Sequence, residues 1–135
     1  MRPIRQLIIH CSDTETGNAK SIDKFHREVR GWRMIGYHYV IDRDGKLEDG
    51  RPLWMVGAHC FGQNAESIGI CLIGTTTFTN EQYETLEFVI KDLKTQFKTI
   101  KEVRGHRDYP SGKAQGKTCP SKAVEDFLHA KGLYE

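Results

Sequence analysis

The sequence predicts a single α/β (α+β) domain, in which a central mixed β-sheet is flanked by about three helices. Apolar runs of strand length occur at RQLIIH (5–10) and SIGICLIG (67–74), and a long amphipathic stripe begins at Asn80. The elements follow one another as strand, helix, strands, helix, strand and helix, an order in which helices cover a shared sheet. A chain of 135 residues can bury about two thirds of its unfolded surface without disulfides. We therefore expect one domain over residues 1–135.

The first half of the chain contains two predicted strands and a helix between them. The first apolar run is bounded by polar residues, which is typical of a buried strand, and it ends at His10. Ser21 is expected to cap a helix that closes at Gly31, because apolar residues recur every three or four positions between them. The aromatic and β-branched segment GYHYVID (36–42) predicts a strand, and Asp44-Gly45 predicts a two-residue hairpin turn.

The second half begins with the strand predicted for SIGICLIG. Its continuous apolar character indicates a central strand that is covered on both faces. The helix that begins at Asn80 is expected to bury one stripe, formed by Tyr83, Leu86, Val89, Ile90, Leu93 and Phe97. The segment EVRGHRDYP (102–110) is expected to be a strand or a loop. Pro120 is expected at the first position of a last helix that ends at Gly132.

Composition and charge exclude several classes of function. The net charge of +2 is too small to indicate the clustered basic surface of a nucleic-acid-binding domain. No window approaches the roughly 18 apolar residues of a membrane span, and the N-terminal segment lacks the features of a signal peptide. We therefore expect synthesis in the cytoplasm and no membrane insertion. The four cysteines, Cys11, Cys60, Cys71 and Cys119, are expected to be reduced thiols.

Two histidines and one cysteine are the first candidates for chemistry. His10 ends a strand, His106 lies at another element end, and Cys119 lies at a predicted helix N-terminus, which lowers the pKa of a thiol. Two imidazoles and one thiolate can bind zinc and leave the fourth tetrahedral position for water. The residues alone leave alternatives open: structural histidines, an inert thiol, or a Cys119 nucleophile paired with His106. Cys11 is expected to point to the opposite face of its strand, away from a metal.

Two further side chains extend this candidate site. Lys117 lies two residues before Cys119, and side chains at that spacing point the same way in an extended segment. A cation beside a metal would stabilise an oxyanion that forms there. The phenol of Tyr37, in GYHYVID, could hydrogen-bond the same oxygen. The alternatives are a solvated loop lysine and a tyrosine packed on the sheet.

Five segments together resemble the zinc-dependent N-acetylmuramoyl-L-alanine amidases of the type 2 family, whose fold is shared with peptidoglycan recognition proteins. The segments are IIHCSDT, GYHYVIDRDGKLEDGR, VGAHCFGQNAESIGICLIG, RGHRDYP and GKTCPS, and they occur in the family's order over most of the chain. No segment is specific alone, but their combination is. Within the family, the chain is most similar to short phage endolysins.

The resemblance implies an enzyme that cleaves the amide bond between N-acetylmuramic acid and L-alanine in the stem peptides of peptidoglycan, with host-cell lysis as the outcome. It implies one Zn²⁺ per chain. The implied roles are metal ligation by His10, His106 and Cys119, catalysis by Tyr37 and Lys117, and substrate binding by His59 and Asn64. Recognition proteins that only bind peptidoglycan typically lack the cysteine ligand, so Cys119 favours an enzyme over the alternative of a binding protein without turnover.

The resemblance also bears on partners and location. Peptidoglycan is the expected partner, and the protein is expected to act on the cell wall after release from the cytoplasm. A monomer is expected. An additional protein partner, such as a polymerase, stays open.

Overall fold

The computed structural model describes residues 1–116 and 119–135, which form a five-stranded mixed sheet with helices packed against it. The strands are β1 (Gln6–Cys11), β2 (Tyr39–Ile41), β3 (Leu47–Asp49), β4 (Ser67–Leu72) and β5 (Glu102–Gly105). The helices are α1 (Ala19–Glu28), α2 (Asn80–Gln96), the short α3 (Pro110–Ala114) and α4 (Lys122–Ala130). Single 3₁₀ turns cover Asn64–Glu66 and His106–Asp108. The predicted fold class is confirmed, with three longer helices and one additional short one in this part of the chain.

The sheet has the strand order β3-β2-β4-β1-β5. Strand β1 pairs in parallel with both β4 and β5, β2 pairs in parallel with β4, and β2 pairs with β3 as an antiparallel hairpin. The central position predicted for β4 is confirmed, because all six of its residues are buried. Parallel strands end at the same edge of a sheet, and such an edge is where open α/β sheets bind ligands. The ends of β1 and β5 therefore lie side by side.

The two faces of the sheet have different chemistry. On one face, Leu7 and Ile9 of β1 and Ile68, Ile70 and Leu72 of β4 join the main core. This core includes Leu86, Val89, Ile90 and Leu93 of α2 and Val124 and Leu128 of α4. Alternation places Ile8 and His10 of β1, and Gly69 and Cys71 of β4, on the opposite face. Apart from Ile8, these positions of the second face carry small or polar residues where the first face carries isoleucine and leucine.

The N-cap of helix α1 lies three residues earlier than Ser21, the residue expected to cap it. The cap is Asn18, whose side chain accepts a hydrogen bond from the Ser21 N–H, while the Ser21 hydroxyl pairs with the backbone N–H of Asn18. This is a reciprocal capping box, which satisfies two backbone donors that the first helical turn leaves unpaired. Ser21 therefore contributes to the cap from inside the helix.

The hairpin predicted at Asp44-Gly45 is present, but its loop has three residues instead of two. Asp42 N–H donates to the Lys46 carbonyl at 2.9 Å, and Gly45 N–H donates to the Asp42 carbonyl at 2.9 Å. Gly45 has φ +87°, the left-handed conformation that ends a three-residue hairpin loop. A turn over residues 42–45 whose last residue is left-handed explains the difference.

The last helix begins at Lys122, so the prediction that Pro120 occupies its first position is wrong. Ser121 is the N-cap residue. The Cys119 carbonyl accepts a hydrogen bond from the Arg107 N–H at 2.9 Å, and Pro120 packs closely against Gly105. These contacts hold Cys119 and Pro120 beside the end of β5, outside the helix. Among residues 1–116 and 119–135, no helix has both the length and the apolar character needed to cross a lipid bilayer.

Candidate metal centre and active site

Three side chains that are far apart in sequence meet at the edge where β1 and β5 end. His10 lies near the end of β1, His106 begins the 3₁₀ turn after β5, and Cys119 follows in the segment before α4. One ligand atom of each lies within 4.8 Å of those of the other two. His10 and His106 are buried, Cys119 is half-buried, and the two rings lie 4.7 Å apart between centroids. The three side chains can hold one metal ion.

The backbone around His106 is fixed by close packing. The Gly105 N–H donates to Oδ2 of Asp108 at 3.1 Å, and the Tyr134 hydroxyl donates to the same oxygen at 2.8 Å. A Cβ atom on Gly112 would lie 2.1 Å from the His106 carbonyl oxygen, so α3 approaches this turn more closely than any larger residue allows. The imidazole of His106 is therefore carried by a turn that both α3 and the C-terminal segment support.

Cys119 receives a hydrogen bond that sequence analysis missed. The backbone N–H of Cys11 donates to Sγ of Cys119 at 2.8 Å. The prediction that the Cys11 side chain points away from the metal ligands is also wrong, because the Cys11 thiol hydrogen-bonds the Cys119 thiol. A backbone donor of this kind stabilises the thiolate that metal binding requires and orients its sulfur. The pairing follows from the position of Cys11 at the end of β1, directly after His10.

The acidity of Cys119 also differs from the expectation for a helix N-terminus. The hydrogen bond with the Cys11 thiol and the burial of the sulfur raise the pKa of Cys119 well above its ordinary value, although the Cys11 amide acts in the opposite direction. Helix α4 begins only at Lys122, so its N-terminus does not compensate. A bound metal ion changes this balance, because a coordinating thiol is deprotonated outright.

Tyr37 packs beside the three candidate ligands. Its ring centroid lies 5.0 Å from that of His10. Burial raises the pKa of Tyr37 well above its ordinary value, and the neighbouring thiols of Cys71, Cys119 and Cys11 add to this effect. The phenol therefore keeps its proton at neutral pH and can donate a hydrogen bond. Lys117, the other residue expected to be catalytic, lies outside the described residues, so its role stays a prediction.

The two residues expected to bind substrate both have partners within the protein. His59 Nδ1 lies 2.9 Å from His10 Nε2, and His59 Nε2 lies 3.2 Å from the Ser67 hydroxyl. The Oδ1 atom of Asn64 accepts hydrogen bonds from the backbone N–H groups of His59 and Cys60, at 3.0 and 2.9 Å. Substrate binding by His59 and Asn64 stays a prediction. Their observed contacts support the metal-ligand cluster.

A comparison with protein families agrees with this geometry. Residues 1–122 match the family described as N-acetylmuramoyl-L-alanine amidase. The chain belongs to this amidase family. The predicted resemblance is thereby confirmed, and with it the prediction that the protein is an enzyme of the hydrolytic amidase class.

Individual relatives support the same family assignment. The chain is 35% identical over 127 residues to an endolysin of Klebsiella phage KP32, covering 86% of this chain and 80% of that one. It is similar in structure to an N-acetylmuramoyl-L-alanine amidase, LysC, from Clostridium intestinale, with a TM-score of 0.85, 26% identity, and coverage of 98% and 87% of the two chains. Drosophila PGRP-LB has the same fold, with a TM-score of 0.84, 24% identity, and coverage of 100% and 85%.

Zinc is the metal that fits this donor set best. Two imidazoles and one thiolate are the nitrogen and sulfur ligands that zinc prefers, and three protein ligands leave a position open for chemistry. His10 and Cys119 also have the outer hydrogen-bond partners typical of metal ligands, His59 and the Cys11 amide.

Proposed function

We propose that this amidase uses one zinc ion, bound by His10, His106 and Cys119, to hydrolyse the amide bond between N-acetylmuramic acid and L-alanine in peptidoglycan. The observation that carries the proposal is the cluster of these three ligand atoms, within 4.8 Å of one another, at the strand edge of a member of the amidase family. The remaining side of such a three-ligand site is available to substrate and water.

The chemistry divides between the metal and the side chains around it. When bound, zinc supplies a Lewis acid that lowers the pKa of a water molecule and polarises the scissile carbonyl. The three ligands fix the position of that reaction at the edge of the sheet. The Cys11 N–H and the His59 ring hold two of these ligands in place.

Tyr37 and Lys117 are proposed to stabilise the oxygen of the scissile carbonyl as it gains negative charge. Tyr37 supports this role by its contact with the His10 ring and by its raised pKa, which keeps the phenol protonated as a hydrogen-bond donor. Lys117 is proposed from its position two residues before Cys119. One donor to such an oxygen is typically worth ~10²–10³ in turnover.

The biological setting follows from the relatives. Because the Klebsiella phage relative is an endolysin, we propose that this protein also lyses host cells by cutting the cell wall after release from the cytoplasm. Peptidoglycan is then its principal partner. We propose that a single catalytic domain, acting as a monomer, performs this reaction.

The proposal is tested on purified peptidoglycan with the protein in its zinc-loaded state. The expected products are free stem peptides whose L-alanine carries a new amino group, together with glycan strands of unchanged length. A chelator should abolish release, and added Zn²⁺ should restore it. Binding of peptidoglycan without any released peptide would contradict the proposal, as would release that persists after complete removal of the metal. The second result would favour a Cys119 nucleophile.

A further inference from the structure

The ring of His59 connects the candidate ligand His10 to the interior of the protein. His59 Nδ1 lies 2.9 Å from His10 Nε2, and the two rings meet edge to face with centroids 4.9 Å apart. On its other side, His59 Nε2 lies 3.2 Å from Oγ of Ser67, the first residue of β4 and fully buried. Both ring nitrogens are thus engaged by the protein.

The place that His59 occupies is shaped by two glycines. A Cβ atom on Gly69, in the middle of β4, would lie 2.7 Å from Cδ2 and Cγ of His59 and 2.8 Å from Nδ1. A Cβ atom on Gly57 would lie 2.7 Å from Cδ2 of the same ring. Glycine weakens a strand interior and often marks the close approach of another group. Here the approaching group is the His59 ring, which lies directly against the sheet.

The loop that carries His59 is held by a separate set of contacts. Asn64 Oδ1 accepts the backbone N–H groups of both His59 and Cys60. This closes the segment 59–64 into a fixed turn. The position of His59 therefore depends on three independent features of the fold: the Asn64 turn, the two glycines and the Ser67 hydroxyl.

The contact between the two histidines restricts where their protons lie. Two ring nitrogens 2.9 Å apart share one hydrogen, so one ring donates and the other accepts. A metal-bound imidazole binds the metal through the lone pair of one nitrogen, and its other nitrogen carries the proton. If His10 binds metal, its Nε2 must therefore donate to Nδ1 of His59. The His59 Nε2–H then donates to the Ser67 hydroxyl.

We infer that His59 is a positioning residue: it accepts the Nε2 proton of His10 and thereby holds His10 as the tautomer whose Nδ1 binds the metal. The inference rests on the proposed zinc site. It gives His59 a role different from substrate binding, because a ring that bonds His10 and Ser67 retains no nitrogen for a ligand. In metal sites, loss of a hydrogen-bond partner of this kind typically weakens metal affinity by about 10- to 100-fold.

Two substitutions of His59 separate positioning from general packing. In His59→Asn, the amide oxygen replaces Nδ1 and can still accept the proton of His10. In His59→Gln, the longer side chain carries its amide toward Ser67 and removes the acceptor that His59 Nδ1 offers to His10. The zinc Kd of each full-length variant is measured by competition with a chromophoric chelator, and urea unfolding of the metal-free protein checks that each variant folds.

The expected result is a zinc Kd raised ~10- to 100-fold in His59→Gln and substantially recovered in His59→Asn. In the zinc-loaded wild type, ¹⁵N NMR of the imidazoles should show a metal-bound Nδ1 and a protonated Nε2 in His10. Exchange of that Nε2 proton with solvent should accelerate in His59→Gln.

Two results would overturn the inference. One is a folded His59→Gln variant that keeps the wild-type zinc Kd, and the other is an NMR spectrum in which zinc occupies Nε2 of His10. His10→Ala serves as the reference: if it loses zinc while His59→Gln does not, the proposed zinc site stands and only the role of His59 fails. If His10→Ala retains stoichiometric zinc, the proposed site itself is wrong.

Discussion

Replacing Gly69 with alanine would place a methyl group in the space that the His59 ring occupies. The added Cβ would lie 2.7 Å from two ring carbons. An ordinary carbon contact requires about 3.4 Å or more, so the ring must move by about 0.7 Å. A displacement of that size can lengthen the 2.9 Å contact between the two histidines by up to about 0.7 Å, and a contact of about 3.6 Å is no longer a hydrogen bond.

We expect Gly69→Ala to weaken zinc binding by up to ~100-fold, because the hydrogen bond between His10 and His59 is weakened or lost. The same overlap should lower the free energy of unfolding by about 1–3 kcal/mol, as is typical of an overpacked interior. Chelator competition gives the zinc Kd, and urea unfolding of the metal-free protein gives the stability. Both measurements use the full-length chain.

The matched control repeats the substitution in a His59→Ala background. That background has no ring for the methyl group to displace, so Gly69→Ala should there leave both the zinc Kd and the stability nearly unchanged. Non-additivity of this kind is the signature of two residues in direct contact. The reasoning is refuted if Gly69→Ala weakens zinc binding by the same factor in both backgrounds, or leaves the Kd unchanged in a folded protein.

Three further predictions concern catalysis and stability. Lys117→Ala should retain one zinc per chain by metal analysis while turnover on peptidoglycan falls ~10²–10³-fold; loss of the zinc would instead make Lys117 part of the metal site. Tyr37→Phe should likewise retain zinc and lose turnover by ~10²–10³-fold, and unchanged turnover would remove the phenol from the mechanism. Burial lowers the pKa of His38 from 6.5 to about 4. Between these two pH values the unfolded chain binds more protons than the folded protein, so the free energy of unfolding falls as the pH drops from 6.5 to 4. This effect of His38 on the free energy of unfolding is about 3 kcal/mol at most. It is measured by urea unfolding of the metal-free wild type and of His38→Asn across this pH range. An equal dependence of unfolding free energy on pH in the two proteins would contradict the prediction.

Local sequence patterns were sufficient to predict the two central strands, the hairpin and the three longer helices. The continuous apolar run at residues 67–72 and the stripe of α2 report burial directly, since a fully buried strand and an amphipathic helix each impose their own periodicity. The ends of elements were less certain, because several polar residues compete for each cap. Asn18 and Ser21 both suit an N-cap, and their reciprocal hydrogen bonds in the structure show that they act together.

The candidate metal ligands could be recognised by residue type, but their spacing in the sequence did not show that they meet in one site. His10 and His106 meet because β1 and β5 are parallel neighbours, and Cys119 joins them through the hydrogen bond from the Arg107 N–H to its carbonyl. These are long-range pairings that no local pattern encodes. The resemblance to a known family therefore carried the prediction that these three candidates form one site.

The supporting contacts were missed for a related reason. A glycine inside a strand indicates that something approaches the backbone, yet Gly69 alone does not reveal that His59 is the approaching group. The hydrogen bond from the Cys11 N–H to Cys119 could not be predicted either, because strand periodicity indicates the direction of a side chain and not the distant partner of a backbone group.

The most direct test of the proposed mechanism is the zinc content per chain of the wild type and of His10→Ala, His106→Ala and Cys119→Ser, measured on the same samples as peptide release from peptidoglycan. We predict one zinc per chain and active release in the wild type, with zinc and release lost together in each variant. A wild-type protein that is fully active without zinc, or a Cys119→Ser variant that keeps both its zinc and its activity, would contradict the account.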